Sequence, residues 1–466
     1  MRTRAMRRVT ARKTWDRVMV SFWFAPTIMA LGAVLLAWTM YWLDGLVPNA
    51  ALASSHFVLA GSANELRSSL LSMAGTVLAT AGVVFTLLTL PLSTVVAQYG
   101  SRLLRVFLGD RTTQLVLGMF VATFVYCIAG ALSIPPADVA REGPQLTATL
   151  GVYLMLATFA SLIVLVQHIS TMLQAPNIAA AAGAELLEVV GAEIPDGVTS
   201  GGDGAGAMAS LPGQGAPPTF ADTDGYSVRV TAAGYIQYID PEIMLILARE
   251  KDLVIHLLHR PGHFVWPGAV VALVWPAGRV DEQLATQIRR AFEIGNVRTP
   301  TQDIEYAVNQ LTEMAVRAMS PAINDPFTAM TCLDHMGDGL AKFIRQGEKG
   351  SHYYDRDGKL RLILEPVTFE RLLSAAFDML RHASCDNATV LLHMVEVVDV
   401  ISQEAKSPEA RQQLIRQISL IQTESQTGEL IEQDRQRIQR RCEALLVSLN
   451  GAAQAPTLLS ALAETK

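Results

Sequence analysis

Four long stretches without a charged residue constrain this chain more than any other feature of its sequence. They run from about Val18 to Leu43, Ser68 to Leu90, Thr113 to Leu132 and Leu146 to Val166. A helix of about 20 apolar residues is long enough to cross the hydrocarbon core of a bilayer. The sequence therefore predicts four transmembrane helices. The first stretch is too long for a cleaved signal peptide and is followed by three more, so we interpret it as a retained span.

The charge distribution separates the chain into two parts of different character. Residues 1–190 hold 12 basic and 8 acidic side chains, whereas the remainder holds 25 basic and 35 acidic ones. Only 17% of all residues are charged, compared with about a quarter in soluble domains. The net charge of -6 disfavours a nucleic-acid-binding protein.

The basic residues near the apolar stretches predict how the chain crosses the membrane. Positive charge concentrates on cytoplasmic loops, and the segment before the first stretch is strongly basic, with Arg2, Arg4, Arg7, Arg8, Arg12, Lys13 and Arg17. Basic excess then alternates from loop to loop. We expect a bacterial inner-membrane protein whose N-terminus and C-terminal half are both cytoplasmic.

The composition predicts six segments along the chain. The expected fold is an α-helical membrane domain of four transmembrane helices, followed by a cytoplasmic α+β domain dominated by helices. We assign residues 1–17 to a basic cytoplasmic N-terminus, 18–190 to the membrane domain, 191–225 to a linker with 9 Gly and 4 Pro, 226–300 to a small mixed α/β module, 301–450 to a helical domain and 451–466 to a tail.

Local patterns in the α/β module predict short strands and helices. Alternation indicates strands at 227–231, 234–238 and 253–258, and a hairpin of 263–266 with 269–275 around Pro267-Gly268. Asp240-Pro241 is typical of a helix N-cap followed by proline, and a further helix is expected over 281–292. Beyond 299 we expect six helices and one strand within 360–366.

Several segments resemble one family of bacterial membrane proteins. The stretch RTPTQDIEYAVNQLTEMAVRAMSPAINDPFTA over 298–329 contains the specific string SPxxNDPxTA, and GYIQYID (234–240), RPGHF (260–264) and QYGSRLLRVFLGDRTTQ (98–114) add to it. On these motifs the chain resembles the predicted membrane protein family called domain of unknown function 2254. The resemblance implies a multi-pass membrane protein with a soluble C-terminal domain, and it brings no catalytic residue.

The SPAINDP string has both a structural and a functional interpretation. Proline at 321 should end one helix, and Asp325 should cap the next one, with Pro326 in its first turn. Alternatively, the surrounding polar residues form a cluster for a ligand or a subunit contact. That candidate cluster consists of Arg298, Gln302, Asp303, Asn324 and Asp325.

The second apolar stretch carries hydroxyl and small side chains along one helix face. Ser72, Thr76 and Thr80 are spaced at i, i+4 and i+8, and Gly75 and Thr86 lie beside them. Such residues pack helices closely or line an aqueous pathway in an oligomer, and the sequence leaves both roles open. Pro91 is expected to end this span, and Arg102 and Arg105 are expected to bind lipid headgroups.

Patterns for metal binding and catalysis are weak. Cys332 with His335 and His382 with Cys385 are spaced like zinc ligands, but both pairs fall on predicted helices. We therefore predict no metal site and no cofactor. The chain has no nucleophile elbow, Walker loop or zinc-protease motif, which argues against an enzyme.

The sequence leaves two main hypotheses about function. The first is a homo-oligomeric ion channel, because four spans are too few to enclose a pore and symmetry would have to complete it. The second is a membrane-anchored scaffold or ligand sensor without transport. Expected partners are the lipid bilayer, further copies of this chain and a small ligand or ion, but not nucleic acid.

Overall fold

The computed structural model describes residues 23–47, 58–99, 110–134, 143–172, 174–192, 225–348, 351–355 and 357–463. The predicted basic N-terminus, most of the predicted linker and both Arg102 and Arg105 lie outside the described residues. The chain divides into two compact units, residues 1–177 and 178–466. They correspond to the membrane part and the mixed part that the charge distribution separates.

The first unit consists of four long helices, α1 (Phe24–Asp44), α2 (Ala63–Tyr99), α3 (Arg111–Ser133) and α4 (Gln145–Met172). All four are long and apolar enough to cross a membrane, so the four predicted spans are confirmed. The span in α2 covers Ala63–Thr86, and the helix continues through Pro91 instead of ending there. Proline is tolerated in membrane helices because other groups satisfy the freed backbone carbonyl.

Small residues bring α1 and α3 close together. Ala33 and Ala37 of α1 are buried, and a methyl group added to Gly118 of α3 would lie 2.5 Å from Sδ of Met29 and 3.3 Å from Cα of Pro26. Packing in lipid gains little from apolar surface area alone, so close backbone approach and dispersion must hold the helices together.

Polar contacts between helix ends show how the four spans run relative to one another. The carboxylate of Asp44, at the end of α1, accepts from the backbone N–H groups of Leu146 and Thr147 at 2.7 and 2.9 Å, at the start of α4. Asp110 caps α3 and lies 3.0 Å from Nε2 of His168 near the end of α4. The N–H of Gly143, before α4, donates to the carbonyl of Gly61, before α2, at 3.2 Å, so α2 and α4 start on the same side. The four spans therefore alternate in direction along the chain.

The second unit begins with most of α5 (Ala175–Ala192) and continues as an α/β module. This module contains β1 (Tyr226–Arg229), β2 (Gly234–Ile239), α6 (Pro241–Lys251), β3 (Val254–Leu257), β4 (Phe264–Val265), β5 (Val270–Trp275), α7 (Glu282–Arg290) and β6 (Phe292–Gly295). Its core is formed by apolar residues of both sheets and of α6 and α7, including Ile236, Met244, Ile255, Val274 and Ile288. Asp240 caps α6 with Pro241 at its start, as predicted.

The strands form two sheets, and this corrects one prediction. One sheet has the order β1-β5-β3-β8-β7 and the other β4-β2-β6, where β7 is His352–Tyr354 and β8 is Leu360–Ile363. The predicted hairpin of 263–266 with 269–275 is wrong, because β4 pairs with β2 whereas β5 pairs with β1 and β3. Alternation identifies a strand but carries no information about its partner.

The rest of the second unit is helical. It contains α8 (Ile304–Ala318), α9 (Pro326–Gln346), α10 (Phe369–Ala383), α11 (Ala388–Ser402), α12 (Pro408–Thr427) and α13 (Glu432–Ala463). Strands β7 and β8 lie between α9 and α10 in the sequence but join the α/β sheet, where β8 runs parallel to β3. The α/β module therefore takes in chain from beyond residue 300. The last helix extends to Ala463, through residues that we assigned to a tail.

Candidate functional site

Helix α2 has three distinct faces within its membrane span. One face packs inside the unit through Leu70, Ala74 and Val77, which are buried. A second face is exposed and carries large apolar side chains, namely Leu71, Leu78 and Phe85. The third face is exposed in the protomer and carries Ser72, Gly75, Thr76, Gly82 and Thr86, together with one larger apolar side chain, Val83. We call this third face the small-residue face.

The small-residue face is not packed against the described residues of the same chain. No described atom outside the neighbouring helix backbone lies within 4 Å of a Cβ built on Gly75 or Gly82. The hydroxyl of Thr76 donates to the Ser72 carbonyl at 3.0 Å, and the hydroxyl of Thr80 donates to the Thr76 carbonyl at 2.9 Å. These donors are therefore satisfied within the helix, while the hydroxyl oxygens remain able to accept a further bond.

Three of the five residues in the predicted cytoplasmic cluster are brought together. Arg298 donates to both carboxylate oxygens of Asp303 at 2.8 and 2.9 Å. Asp303 also caps α8 by accepting from the N–H of Tyr306 at 3.0 Å, and its side chain is only 3% exposed. Burial alone would lower the pKa of Arg298, but the hydrogen bonds and charge of Asp303 raise it above its ordinary value.

Gln302 connects the same region to strand β2. Its side-chain oxygen accepts from the N–H of Ile239 at 2.9 Å, and its side-chain nitrogen donates to the Ile239 carbonyl at 3.0 Å. Gln302 thus imitates a strand neighbour at the end of β2. The arrangement joins the α/β module to α8, so a structural role accounts for Arg298, Gln302 and Asp303.

Asn324 and Asp325 do not belong to this cluster. They lie after the C-terminus of α8, whereas Asp303 lies before its N-terminus, and a helix of 15 residues separates the two ends by about 22 Å. Asp325 caps α9 by accepting from the N–H and hydroxyl of Thr328 at 3.1 and 2.5 Å, with Pro326 in the first turn. The predicted order of helix, tight loop and second helix capped by Asp325 is confirmed.

A buried arginine beside the cluster was not identified from the sequence. Arg260 is 7% exposed and donates to Glu305 at 2.7 Å and to Nε2 of His263 at 3.1 Å. Its Nη1 is buried and has no hydrogen-bond partner among the described residues. Burial lowers the pKa of His263, and the charge of Arg260 lowers it further. The RPGHF motif contains both residues, but nothing in it points to Glu305.

A second ionic group links α6 to strand β8. Arg361 is buried and donates to Asp355 at 2.6 Å and to Asp252 at 2.8 Å. Asp252 also accepts from Arg279 at 2.9 Å, and chiefly this hydrogen bond, with that of Arg361, lowers the pKa of Asp252 to about 2. Asp252, Arg279 and Arg361 border a cavity of about 590 Å³. All described charges here have partners within the protein, which again indicates a structural role.

The four weak zinc candidates are not brought together as a metal site. Cys332 is buried in α9, and burial raises the pKa of its thiol to about 12. His382 is 83% exposed and pairs with Glu424 at 3.0 Å. Among the described residues, no group of three or more His, Cys, Asp or Glu side chains is arranged to hold a metal ion.

The helical part of the second unit contains another cavity, of about 580 Å³. The start of α10 and the start of α12 both border it, together with the end of α9. Its walls combine apolar residues such as Phe343 with charged residues of both signs, including Arg345, Lys406 and Glu409. This cavity is large enough for a small organic molecule, and no sequence motif indicated it.

Comparison with known proteins decides the family. The family model described as "Predicted membrane protein (DUF2254)" matches residues 20–399, which is most of the chain. The chain belongs to the DUF2254 family. The resemblance noted in the sequence is therefore confirmed, and the protein is a membrane protein of a family without an assigned function.

Two relatives of this DUF2254 protein come from mycobacteria. An uncharacterized protein of Mycobacterium bovis is 26% identical over 383 residues, which cover 80% of this chain and 71% of the relative. An uncharacterized protein of Mycobacterium tuberculosis matches with the same identity and coverage. No solved structure matches this chain.

Proposed function

We propose that this protein is a bacterial inner-membrane protein that assembles as a homo-oligomer and forms an ion channel or pore. The observation that carries the proposal is the small-residue face of α2, which is exposed in the protomer and lined by hydroxyl groups and glycines. Four helices cannot enclose a pore by themselves, so the wall would be completed by symmetry-related copies of α2.

The distribution of side chains on α2 favours a pore or an interface over lipid for this face. The exposed face with Leu71, Leu78 and Phe85 has the large apolar side chains that suit contact with lipid. Apart from Val83, the small-residue face differs from it in size and polarity. Hydroxyl oxygens can replace part of the hydration shell of an ion, and glycines widen a lumen or let a second helix approach closely.

The position of ionisable groups argues for passive conduction over coupled transport. In the described parts of the four spans, Asp44, Glu65, Arg67 and Arg111 lie at helix ends, and His168 lies near the end of α4. Proton-coupled transporters usually carry an ionisable group inside the membrane. A weakly selective pore has no such requirement.

We place the N-terminus and the second unit in the cytoplasm. The support is the basic segment before the first span together with the alternating direction of the four spans, which returns the chain to its starting side. Reporter fusions test this: alkaline phosphatase fused after residue 466 should be inactive and a fluorescent protein fused there should be bright. An active phosphatase at that position would reverse the orientation.

Liposome flux is the direct test of the channel. Purified full-length protein should release trapped potassium or chloride. In a Cys385→Ser background, a membrane-impermeant thiol reagent should block flux through Thr76→Cys but not through Leu78→Cys, which lies on the large apolar face. Absence of flux for every ion tested would reject the channel.

A specific observation favours a second function, a membrane-anchored ligand sensor. The cavity of about 580 Å³ between the end of α9 and the starts of α10 and α12 is lined by Arg345, Lys406 and Glu409. The hydroxyls of Thr76 and Thr80 on α2, in contrast, already donate within their own helix. The sensor predicts no flux in liposomes and a thermal shift with a charged small molecule. Gln413→Trp, at the cavity wall, should abolish that shift.

A further inference from the structure

Helix α2 contains only two charged residues, and they lie on different faces. These residues are Glu65 and Arg67, and two residues along an α-helix correspond to a rotation of about 200°. Glu65 precedes Ser72 by seven residues, which brings the two within about 20° of the same line along the helix. Both are exposed, as is Thr86 farther along that line. Glu65 therefore lies on the small-residue face, and Arg67 does not.

Glu65 lies at one end of the span. The span in α2 begins at Ala63, and Ser72 lies about 10 Å farther along the helix axis than Glu65. Oε2 of Glu65 accepts from the N–H of Ser62 at 2.8 Å, while the Ser62 hydroxyl accepts from the N–H of Glu65 at 3.4 Å. This is a capping box. Oε1 accepts no hydrogen bond from the described residues, so the carboxylate is held in place with one oxygen uncommitted.

The carboxylate of Glu65 determines the sign of the charge at this end of α2. The N-terminus of a helix carries about half a positive charge, which by itself favours an anion. The full negative charge of Glu65 outweighs it and leaves about half a negative charge on each copy. In a symmetric assembly around the small-residue face, every copy places this charge at the same level. Rings of carboxylates of this kind select cations.

The threonine hydroxyls farther along the face also suit cations. The Thr76 hydroxyl donates to the Ser72 carbonyl at 3.0 Å, and the Thr86 hydroxyl donates to the Gly82 carbonyl at 3.1 Å. A hydroxyl whose hydrogen is already engaged offers only its oxygen lone pairs. Oxygen lone pairs can replace part of the hydration shell of a cation. The lining and the charge at its end therefore favour ions of the same sign.

We infer that the pore formed by α2 conducts cations in preference to anions, and that Glu65 is the residue that determines this preference. The inference rests on the proposed channel function, because assembly around the small-residue face is what brings the carboxylates into a ring. One ring of carboxylates above a lining of hydroxyl groups discriminates by the sign of the charge and not by ion size. Potassium and sodium should therefore pass at similar rates.

Reversal potentials in planar bilayers test this selectivity on the full-length protein. Across a KCl gradient, current through the wild type should reverse close to the equilibrium potential of potassium. Glu65→Gln removes the charge but keeps the capping box, which accepts glutamine at this position. It should lower the permeability ratio of potassium to chloride several-fold, and Glu65→Lys should favour chloride. Glu65→Asp keeps the charge and should retain the preference for potassium.

Arg67→Gln is the matched control. It removes one charge from the same turn of α2 but from a different face, so the permeability ratio should stay at the wild-type value. Size-exclusion chromatography and thermal unfolding check that each variant retains its fold.

Ionic strength provides a second readout. The Debye length falls from about 10 Å at 0.1 M salt to about 3 Å at 1 M salt, and the field of a carboxylate ring should be screened accordingly. The permeability ratio of the wild type should therefore fall between these salt concentrations. That of Glu65→Gln should change little, because it has no ring of charge to screen.

Two kinds of failure are distinguishable. A measurable current with a preference for chloride in the wild type, or with equal permeability ratios in the wild type and Glu65→Gln, would overturn the inference and leave the channel in place. A change in Arg67→Gln as large as that in Glu65→Gln would also overturn it, because the effect would then come from surface charge in general. Absence of current from every variant would reject the channel itself, and the inference with it.

Discussion

Single carboxylates in this protein perform two tasks at once, and Asp303 shows this most clearly. It caps α8 through the N–H of Tyr306 and forms a two-bond ion pair with Arg298 while almost fully buried. A helix cap contributes about 1 kcal/mol, and loss of one partner of a buried pair costs more because it leaves the other charge unpaired. Asp303 should therefore be more sensitive to substitution than an ordinary cap.

Asp303→Ala should lower the free energy of unfolding by about 2–4 kcal/mol, because both the cap and the ion pair are lost. Asp303→Asn keeps a capping oxygen and should lose less. Asp281 caps α7 at 2.7 Å without an ion pair in the described structure, so Asp281→Ala is the matched control and should cost about 1 kcal/mol. Urea unfolding in detergent measures all three. Equal losses at 303 and 281 would contradict the added effect of the ion pair.

Acid should weaken the second unit through Asp355 and Asp252. Burial alone would raise the pKa of Asp355, but hydrogen bonds from Arg361 and from the backbone lower it, and the pKa of Asp252 falls to about 2. Carboxyls with lowered folded pKa contribute stability above their unfolded pKa of about 3.9, and this stability is lost as the pH falls through the folded pKa.

The melting temperature of the wild type should therefore be steady from neutral pH to about pH 4 and should fall between about pH 4 and pH 2. Asp355→Asn should be less stable by about 1.5–3 kcal/mol at pH 6, and its difference from the wild type should shrink towards pH 2. A difference that is independent of pH would show that the Asp355 charge is not involved.

At the scale of elements, the membrane unit is joined by a few polar contacts between its helix ends. Asp44 lies at the end of α1, where the helix dipole disfavours a negative charge, but at the start of α4, where the dipole favours it. It accepts three hydrogen bonds there, from the N–H groups of Leu146 and Thr147 and from the Thr147 hydroxyl. One carboxylate thus joins two spans through residues, Asp44 and Leu146, that are 102 positions apart in the chain.

Asp44→Ala should destabilise the membrane unit by about 1–2 kcal/mol, because it leaves N–H groups at the start of α4 without a partner. Asp44→Asn retains an acceptor and should cost less. Ser133→Ala is the control, since that hydroxyl donates only within its own helix, to the Ala129 carbonyl at 2.8 Å. Unfolding in mixed detergent micelles measures the effect. A loss at 133 as large as that at 44 would reject the interhelical role.

At the scale of the whole molecule, assembly is expected to depend on α2. Gly75 and Gly82 have no described neighbour within 4 Å of an added Cβ, so larger side chains there fit the protomer. The same is true of Gly32 on α1. The two helices therefore allow identical substitutions that differ only in the face they alter.

Gly75→Leu should lower the oligomeric fraction of the protein in nanodiscs or mild detergent by at least about tenfold, because a clash of about 1.4 kcal/mol per subunit already shifts an equilibrium tenfold. Gly32→Leu should leave it unchanged. Mass photometry of the purified proteins measures both. An unchanged subunit number in Gly75→Leu and Gly82→Leu would show that the small-residue face does not mediate assembly.

The extent to which the fold follows from the sequence differs between elements. The spans were predicted within a few residues, since each is one continuous uncharged run, and the caps at Asp240 and Asp325 follow from residues adjacent to them. The partners of β4 and β5 and the ion pair of Arg260 with Glu305 were not predicted. Those contacts join residues far apart in the chain, so no local sequence pattern indicates them.

The sequence by itself determined that this chain has four helices long and apolar enough to cross a membrane, and where its capped helices begin. The physical reason is that bilayer burial and helix capping depend on residues within one or two turns of each other. Only the tertiary structure decided which face of α2 stays uncovered and that Asn324 and Asp325 lie apart from Asp303. These depend on how whole helices pack, which is settled by many contacts distant in sequence and not by any one segment.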